Sequence, residues 1–335
     1  MRKLMIEAPG GLNNLVVSQM DAAPAPGPGQ VRMRVHASSL NFHDYFVCKT
    51  PERSPDGRIP LADGAGEVLE TGSDVTEFKP GDHVVSCFFP YWAYDGEMPS
   101  SNEYVPGDGL DGFAQTEVTV PAFWLTKSPQ GWTHAEAATI PTAAVTAWRA
   151  LVVNGGLKAG DTVLTLGSGG VSIFALQLAK AMGARVIATS SSGEKLNQLK
   201  ALGADETINY RETPEWGMVA RELTGGRGVD HVIETGGSGT LPQSINAARV
   251  GGHIAVIGVL SGFSGEVPTV TMMLRQQRIQ GLMVGSRRDQ KDLIAALEST
   301  GIRPVLDQSF DLSKLREAFE YQASGAHFGK ISITI

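Results

Sequence analysis

Ten residues in the middle of the chain have the types and spacing to hold a phosphate. Val163-Leu164-Thr165-Leu166 is an apolar strand pattern, Gly167-Ser168-Gly169-Gly170 a glycine turn, and Val171-Ser172 opens an amphipathic helix. In that context Gly167 can make the tight turn and Gly169 lets the backbone approach a pyrophosphate closely. The helix N-terminus then offers free N–H groups and the positive end of its dipole to the anion. Ser172 stands where the dinucleotide fingerprint has its third glycine, so the match is incomplete. A small residue there still permits close packing of helix on strand. A glycine turn by itself need hold no ligand; between strand and helix patterns it reads as a dinucleotide site.

The second strand of that unit bears on which dinucleotide. An NAD site carries an acidic residue about 20 residues beyond the first glycine, bonded to the ribose 2′-hydroxyl. Here Arg185-Val186-Ile187-Ala188-Thr189 runs into Ser190-Ser191-Ser192, with no carboxylate at the strand end. A carboxylate would repel a 2′-phosphate, whereas serine hydroxyls donate to it, and Lys195 follows close enough to add charge. The expected cofactor is therefore NADP(H). Ser191-Ser192-Gly193-Glu194 is also a capping-box pattern for the next helix, and the two readings are compatible.

The elements that must position these residues follow from periodicity. Up to about residue 127 the chain is rich in Gly and Pro, with strand patterns at Val31–Val35, Glu67–Glu70 and His83–Val85 bounded by turn residues, the texture of an antiparallel β lobe. Phe89–Gly112 reads as a long surface loop. His134–Val153 reads as a helix stopped by Gly155-Gly156. Strands at Thr162–Leu166, Arg185–Thr189, Glu206–Asn209, Asp230–Glu234 and His253–Gly258 then alternate with helices at Val171–Met182, Glu194–Leu202, Pro214–Leu223 and Leu241–Arg249. This alternation predicts right-handed crossovers and a doubly wound parallel sheet. The tail adds a strand at Ile279–Val284, helices at Gln290–Ser299 and Lys314–Ala323, and a strand at Lys330–Ile335. The fold class is α/β, with two lobes expected: 1–127 completed by 288–335, and 128–287.

Composition excludes several classes. The 335 residues are 42% hydrophobic and 19% charged, enough apolar content for sizeable cores. A net charge of −7 argues against a nucleic-acid or anionic-membrane surface. Two cysteines, Cys48 and Cys87, are too few for a disulfide framework and suggest a reducing compartment. No apolar run approaches the ~20 residues of a membrane helix, and no signal-peptide pattern opens the chain. A cytoplasmic protein with a small-molecule substrate is expected.

Taken in order, further motifs resemble the medium-chain dehydrogenase/reductase superfamily over nearly the whole chain. They are Asn41-Phe42-His43-Asp44, Ile59 to Val68, Lys79 to Val84, Asp111 to Gln115, Pro141 to Trp148, Gly167 to Ser172 and His327-Phe328-Gly329-Lys330. The resemblance implies a GroES-like β lobe completed by the C-terminal tail, and an inserted Rossmann lobe. The family's alcohol dehydrogenases bind catalytic zinc through Cys, His and Cys. Those positions match Asn41, Ala62 and Thr142 here, none of which supplies a thiolate or imidazole. A structural zinc site would need four clustered cysteines near residues 86–112, where only Cys87 lies. The resemblance is thus to the zinc-free branch, which includes quinone oxidoreductases and zinc-free alcohol dehydrogenase-like proteins, and no metal is expected.

Zinc polarises a carbonyl and stabilises an alkoxide. Without it, hydride addition to an enone or quinone is the easier chemistry, because charge delocalises onto oxygen and donors can stabilise the enolate. The resemblance places Asn41 near nicotinamide and substrate, with an amide able to donate to the carbonyl oxygen. His43 falls where the alcohol dehydrogenases carry a proton-relay hydroxyl, and Tyr45 is a nearby donor. Each has a plain alternative: a loop-holding Asn, a surface or packed His, a packed Tyr. Asp44 and Asp63 read as structural. By the same resemblance Thr146 lies under the nicotinamide and Ile257-Gly258-Val259 present backbone to the carboxamide. Tyr210 and Lys195 flank the adenosine phosphate, and Lys330 approaches the pyrophosphate. The Phe88-Phe89-Pro90-Tyr91-Trp92 cluster reads as pocket lining or as core. Related enzymes pair the edge strand near Arg278–Val284 across a two-fold axis, so a homodimer is expected, with Ile279, Leu282 and Val284 to bury. Three functions fit these residues: an NADPH-dependent reductase of activated C=C bonds or quinones, a zinc-independent alcohol dehydrogenase or carbonyl reductase, and a non-catalytic NADPH-binding protein.

Overall fold

A computed structural model describes residues 1–92 and 99–335, so part of the Phe89–Gly112 loop lies outside the described residues. The chain divides into two compact units, Met1–Val145 with Val284–Ile335, and Thr146–Met283. The first unit opens with strands β1 (Arg2–Ile6), β2 (Leu15–Gln19), β3 (Gln30–Ser39), β4 (Ala65–Thr71), β5 (His83–Ser86), β6 (Glu117–Pro121) and β7 (Leu125–Lys127). The second contains β8 (Thr162–Leu166), β9 (Arg185–Ser190), β10 (Glu206–Asn209), β11 (Val229–Glu234), β12 (Ala248–Val256) and β13 (Arg278–Gly281). The chain returns to the first unit with β14 (Leu306–Asp311) and β15 (Lys330–Thr334).

In the first unit a seven-stranded sheet runs β14-β15-β3-β4-β5-β7, with β6 also paired to β3. Its pairs are antiparallel except β14 with β15. The alternation in β3 does what its period demands: Val31, Met33 and Val35 are buried and pack with Val68, Val84, Val120 and Leu125, while Arg32 and Arg34 keep contact with solvent. The C-terminal strand completes this sheet, with Ser332 opposite Ser39. Residues 128–145 also pack here, because the short helix His134–Ala137 lies against β3, β4 and β15. The predicted continuous helix from His134 to Val153 is instead broken. Pro141, which lacks an N–H, sits in a π turn at Ile140–Ala144, and a second π turn spans Arg149–Val153.

The second unit is a parallel sheet in the order β10-β9-β8-β11-β12-β13. Numbered from its own first strand this is 3-2-1-4-5-6, the doubly wound dinucleotide order, with its switch point between β8 and β11. Every residue of β8 and β11 is buried, as strands covered on both faces require. Leu164, Ile187, Ile208, Val232 and Ile254 form the core with Trp216 and Ile245 from the helices. Several predicted bounds move, two of them because neighbouring backbone decides. The helix at Leu241 ends at Ala247, because Ala248 already pairs with Val229. β12 stops at Val256, since the next N–H, on Ile257, turns to Glu234 O at 2.9 Å. β13 stops at Gly281, and Leu282 and Val284 are buried inside the chain itself, so they are not residues waiting for a partner. Among the described residues no helix is long and apolar enough to cross a membrane.

Asp230 clamps the amino end of this sheet. It is buried, accepts from Thr162 N of β8 at 2.8 Å and pairs with Arg227 at 2.7 Å and Arg249 at 2.5 Å. Burial alone would raise its pKa; the Arg227 and Arg249 bonds overcome that and hold the carboxyl well below its ordinary value. A carboxyl depressed in this way stabilises the fold above the unfolded value of about 3.9 and loses that contribution as pH falls toward the folded one. Asp230→Asn is expected to lower unfolding free energy at pH 7 by roughly 3 kcal/mol and to flatten the acid limb of the stability curve. Urea melts across pH check both; an unchanged midpoint at pH 7 would remove the clamp.

Candidate active site

The first unit holds a buried polar network built on residues from four separate segments. Asp44, in the first turn of the helix Phe42–Lys49, accepts from Asn41 N at 3.0 Å, the favourable place for a carboxylate at a helix start. Its other oxygen accepts from Ala62 N at 2.9 Å. Leu61 just before is buried and left-handed, φ 76°, a conformation costing on the order of 1–3 kcal/mol in a non-glycine residue. The turn leaves Asp63 fully buried. Asp63 accepts from Thr142 Oγ1 at 2.7 Å, Ser39 Oγ at 2.7 Å and Asn41 Nδ2 at 2.8 Å. Lys330, from β15, donates to Leu40 O and to Asn41 Oδ1, both at 2.6 Å, and lies 3.8 Å from Asp63.

The amide of Asn41 is oriented by this setting. An ammonium on one side demands Oδ1 and two carboxylates on the other demand Nδ2, so its hydrogen bonds are satisfied inside the network. Burial pushes the Asp63 carboxyl up and the Lys330 ammonium down, each partly offset by the other's charge. Three donors facing Asp63 favour its ionised form. Lys330 is thus buried and not solvated, with its ammonium turned to oxygens of its own unit.

His43 is neither a surface histidine nor an apolar-packed one. Its Nε2 bonds Asp108 Oδ2 at 3.0 Å, and Arg53 bonds the same oxygen at 3.0 Å. Asp44 lies 3.9 Å from Nδ1, and Phe88 stands edge-on at 5.2 Å. Burial alone would depress this imidazole; Asp108 and Asp44 more than offset it and push the pKa up to about 9. A raised histidine stabilises the fold fully below about 6.5 and loses that contribution as pH rises through about 9. Tyr45 is packed between Phe42 and Phe319 with Lys49 Nζ 5.1 Å over its ring. Of the aromatic cluster, Phe88, Phe89 and Trp92 are buried as core, and Tyr91 is exposed. Sequence reasoning missed Asp108, whose only local signal is its place between Gly107 and Gly109.

In the second unit the glycine turn sits at the carboxyl end of β8, beside the switch point. Gly167 is left-handed at φ 75°, and a Cβ added to it or to Gly169 would meet nothing within 4 Å, so the space above the turn is open for a pyrophosphate. Gly169 caps the helix Gly170–Ala181, with Ser168 buried and Val171 half-buried beside it. Ser172, in place of a third glycine, donates to Leu166 O at 2.6 Å and ties the helix to the strand it follows. Ser190 ends β9, buried, opposite Asn209; Tyr210 N bonds Ser190 O at 3.1 Å and leaves the tyrosine partly exposed. Ser191 and Lys195 are half-buried, and Ser192 makes no capping bond to the helix it precedes. Ile257-Gly258-Val259 leave the carboxyl end of β12 as non-strand backbone. Gly258 is obligatory there, since a Cβ would fall 2.1 Å from Thr235 O. Thr146 is buried at the start of this unit.

The sheet order and glycine turn define a nicotinamide-type Rossmann unit, joined in one chain to a GroES-like β unit. Residues 27–130 match the alcohol dehydrogenase GroES-like domain and residues 170–299 the zinc-binding dehydrogenase domain. The chain is 40% identical to a zinc-type alcohol dehydrogenase-like protein of Schizosaccharomyces pombe, over 97% of this chain and 96% of that one. Among solved structures it is similar to an NAD-dependent alcohol dehydrogenase (35% identity, TM-score 0.89, covering 100% of both chains). It is also similar to a 2-haloacrylate reductase (28% identity, TM-score 0.80, covering 100% and 99%). The chain belongs to the medium-chain dehydrogenase/reductase superfamily and is an oxidoreductase of that family.

Zinc does not fit the residues at the positions matched to its ligands. Asn41 and Thr142 spend their side chains on Asp63, and Ala62 has no donor atom. Removing Lys330 would take the nearest cation from the fully buried Asp63 carboxylate. Lys330→Met is expected to cost about 3–5 kcal/mol, and Lys330→Met with Asp63→Asn to recover part of that. Denaturant melts of the single and double variants check the coupling; strictly additive losses would mean the pair does not act as a unit.

Proposed function

We propose that the protein is a zinc-independent, NADPH-dependent reductase that transfers hydride to activated C=C bonds or quinones. The observation carrying this reading is the hydrogen-bonded set Asn41–Asp63–Thr142, closed by Lys330, at the positions matched to the family's zinc ligands. No group of that set is left to act as a Lewis acid on an isolated carbonyl. A conjugated acceptor needs less help, because the charge left by hydride spreads onto oxygen. The likeness to a 2-haloacrylate reductase supports the same acceptor class. The likeness to an NAD-dependent alcohol dehydrogenase favours the rival reading, carbonyl reduction or alcohol oxidation. Both cysteines are free and buried, which suits a reducing, cytoplasmic setting.

The bound dinucleotide supplies the hydride; this chain's residues hold it. The turn Gly167–Val171 takes the pyrophosphate on backbone N–H groups, Ile257–Val259 the carboxamide, and Ser190, Ser191, Lys195 and Tyr210 the adenosine end. Thr146 is assigned to the nicotinamide. The buried contacts of Lys330 and Asn41 give them a positioning role in place of direct cofactor contact, and Tyr45 a packing role. Turnover of cyclohexenone, benzoquinone and cyclohexanone with NADPH tests the proposal. Reduction of the first two and not the third is expected. Turnover of cyclohexanone alone selects the rival enzyme, and tight NADPH binding without any turnover selects the non-catalytic protein.

Cofactor choice is the second test. Charge-assisted bonds to the 2′-phosphate contribute roughly 1.5–3 kcal/mol, so NADPH should bind about ten-fold to a hundred-fold tighter than NADH. Ser190→Asp should erase or reverse this, and Lys195→Ala should weaken NADPH alone, less so in high salt. Equal or tighter NADH binding by wild type, unmoved by either change, would return the strand end to a purely structural role.

A homodimer is proposed from the edge strand β13, which ends the sheet order, and from the helix Thr269–Leu274 beside it in sequence, where Val270, Met273 and Leu274 are exposed. Light scattering should give twice the chain mass for wild type and a single chain mass for Leu274→Asp. A wild-type monomer at micromolar concentration would remove the dimer.

A further inference from the structure

Two buried histidines stand side by side in the sheet of the second unit. His231 of β11 is the register partner of His253 of β12, whose own partner on β13 is Arg278. Register partners on parallel strands share a face of the sheet. Three groups able to carry positive charge therefore lie in one row across three strands. The two imidazole rings meet edge-on, with centroids 6.0 Å apart. His231 is 5% exposed and His253 2%, so neither ring can take a proton from bulk water while the sheet is closed.

Only one end of this row has an anion. His231 Nε2 bonds Asp161 Oδ2 at 3.1 Å, and Asp230, next to it in sequence, is taken up by Arg227 and Arg249. His231 Nδ1 and both ring nitrogens of His253 have no hydrogen-bond partner. Arg278 is exposed and donates to Asn154 O at 3.0 Å. A proton on His253 would thus put an unpaired charge in the interior, between a second imidazole and a guanidinium. Burial, then Arg278 and His231, lower the pKa of His253 to about 4; the Gln280 amide of β13, short of hydrogen-bond geometry, opposes them. Burial lowers His231 too, with Arg249 adding to it and Asp161 and Asp230 opposing.

The strand beside the row is the one that can leave. β13 is four residues long and ends the sheet order, with β12 as its neighbour. On its other face Ile279 packs on the apolar core. We propose that the His231–His253 pair is an acid-sensitive latch on β13: neutral rings keep the edge strand paired, and protonation of His253 against Arg278 releases it. The latch acts within one chain and rests on neither the reductase reading nor the dimer. A histidine whose pKa is depressed in the closed sheet binds its proton more readily in the open one. Opening is therefore unaided above about 6.5 and grows as pH falls from there toward about 4. That window lies above the one in which Asp230 loses its clamp, so the two effects separate.

Hydrogen–deuterium exchange of the peptide carrying β13, corrected at each pH for the intrinsic amide rate, reads the opening. Between about pH 7.5 and about pH 5 the opening constant should rise about thirty-fold, the ratio set by titration at about 6.5 when open and about 4 when closed. The β8 peptide should rise no more than about three-fold. His253→Gln should cut the β13 rise about ten-fold. NMR of the wild-type imidazoles gives a reading that needs no variant, with His253 titrating near 4. If His253→Gln does not fold, Arg278→Gln replaces an exposed side chain and should move that titration up by about 0.5–1 pH unit. A β13 opening constant flat to pH 5, a rise in His253→Gln equal to that of wild type, a His253 ring titrating near its ordinary value, or a titration unmoved in Arg278→Gln each overturns the latch.

Discussion

A carboxylate with no access to water governs the first unit. Asp63 is fully buried, and an unpaired charge there would cost several kcal/mol. Its surroundings read as the means of meeting that cost. Ser39 comes from the end of β3, Asn41 from the helix start that follows, Thr142 from the π turn, and Lys330 from the C-terminal strand. The pairing of β15 with β3, Ser332 opposite Ser39, sets the face on which Lys330 enters. A slip of one residue would carry the ammonium to the opposite face. A network of this kind contributes less to net stability than to uniqueness: few alternative registers satisfy every member at once.

The second unit answers the same demand in two ways at neighbouring strand ends. After β11, Glu234 is fully buried and takes the N–H groups of Gly236 at 2.8 Å and Gly237 at 2.9 Å, with the hydroxyls of Thr240 and Ser244. The anion for that turn is part of the chain. After β8, the glycine turn has open space above it, and the hydroxyl of Ser172 points back to Leu166 O instead of capping the turn. The first-turn N–H groups of a helix have no partner within it. A turn that keeps them open beside one that fills them internally is the arrangement expected where a ligand brings the anion.

What the sequence made legible was local and periodic. Val31, Met33 and Val35 alternate, β8 runs into glycine and then helix, and both patterns survive folding because each is set within a few residues. Bounds failed where a distant strand decided them, as at Ala248, which prefers Val229 to another helical turn. The capping-box pattern at Ser192 failed too: the residue types are present, and the bond is not. The contacts that organise the candidate site lay beyond any such reading. His43 and Asp108 are 65 residues apart, Asn41 and Lys330 are 289 apart, and neither pair leaves a spacing signature. The resemblance placed Lys330 on a pyrophosphate. In the structure its ammonium donates to Leu40 O and Asn41 Oδ1, contacts the motif alone does not announce.

The cation at the heart of the first unit is held differently from a metal. A catalytic zinc keeps one coordination position for substrate. Lys330 is placed differently: its ammonium gives hydrogens to Leu40 O and Asn41 Oδ1 at 2.6 Å, and Asp63 lies next at 3.8 Å. It balances charge and holds the amide of Asn41. In the helix start that begins at Asn41, His43 Nδ1 is a buried polar atom without a hydrogen-bond partner. The carboxylates of Asp108 and Asp44 outweigh its burial and favour its protonated form, so the unit carries a second internal cation close to its first.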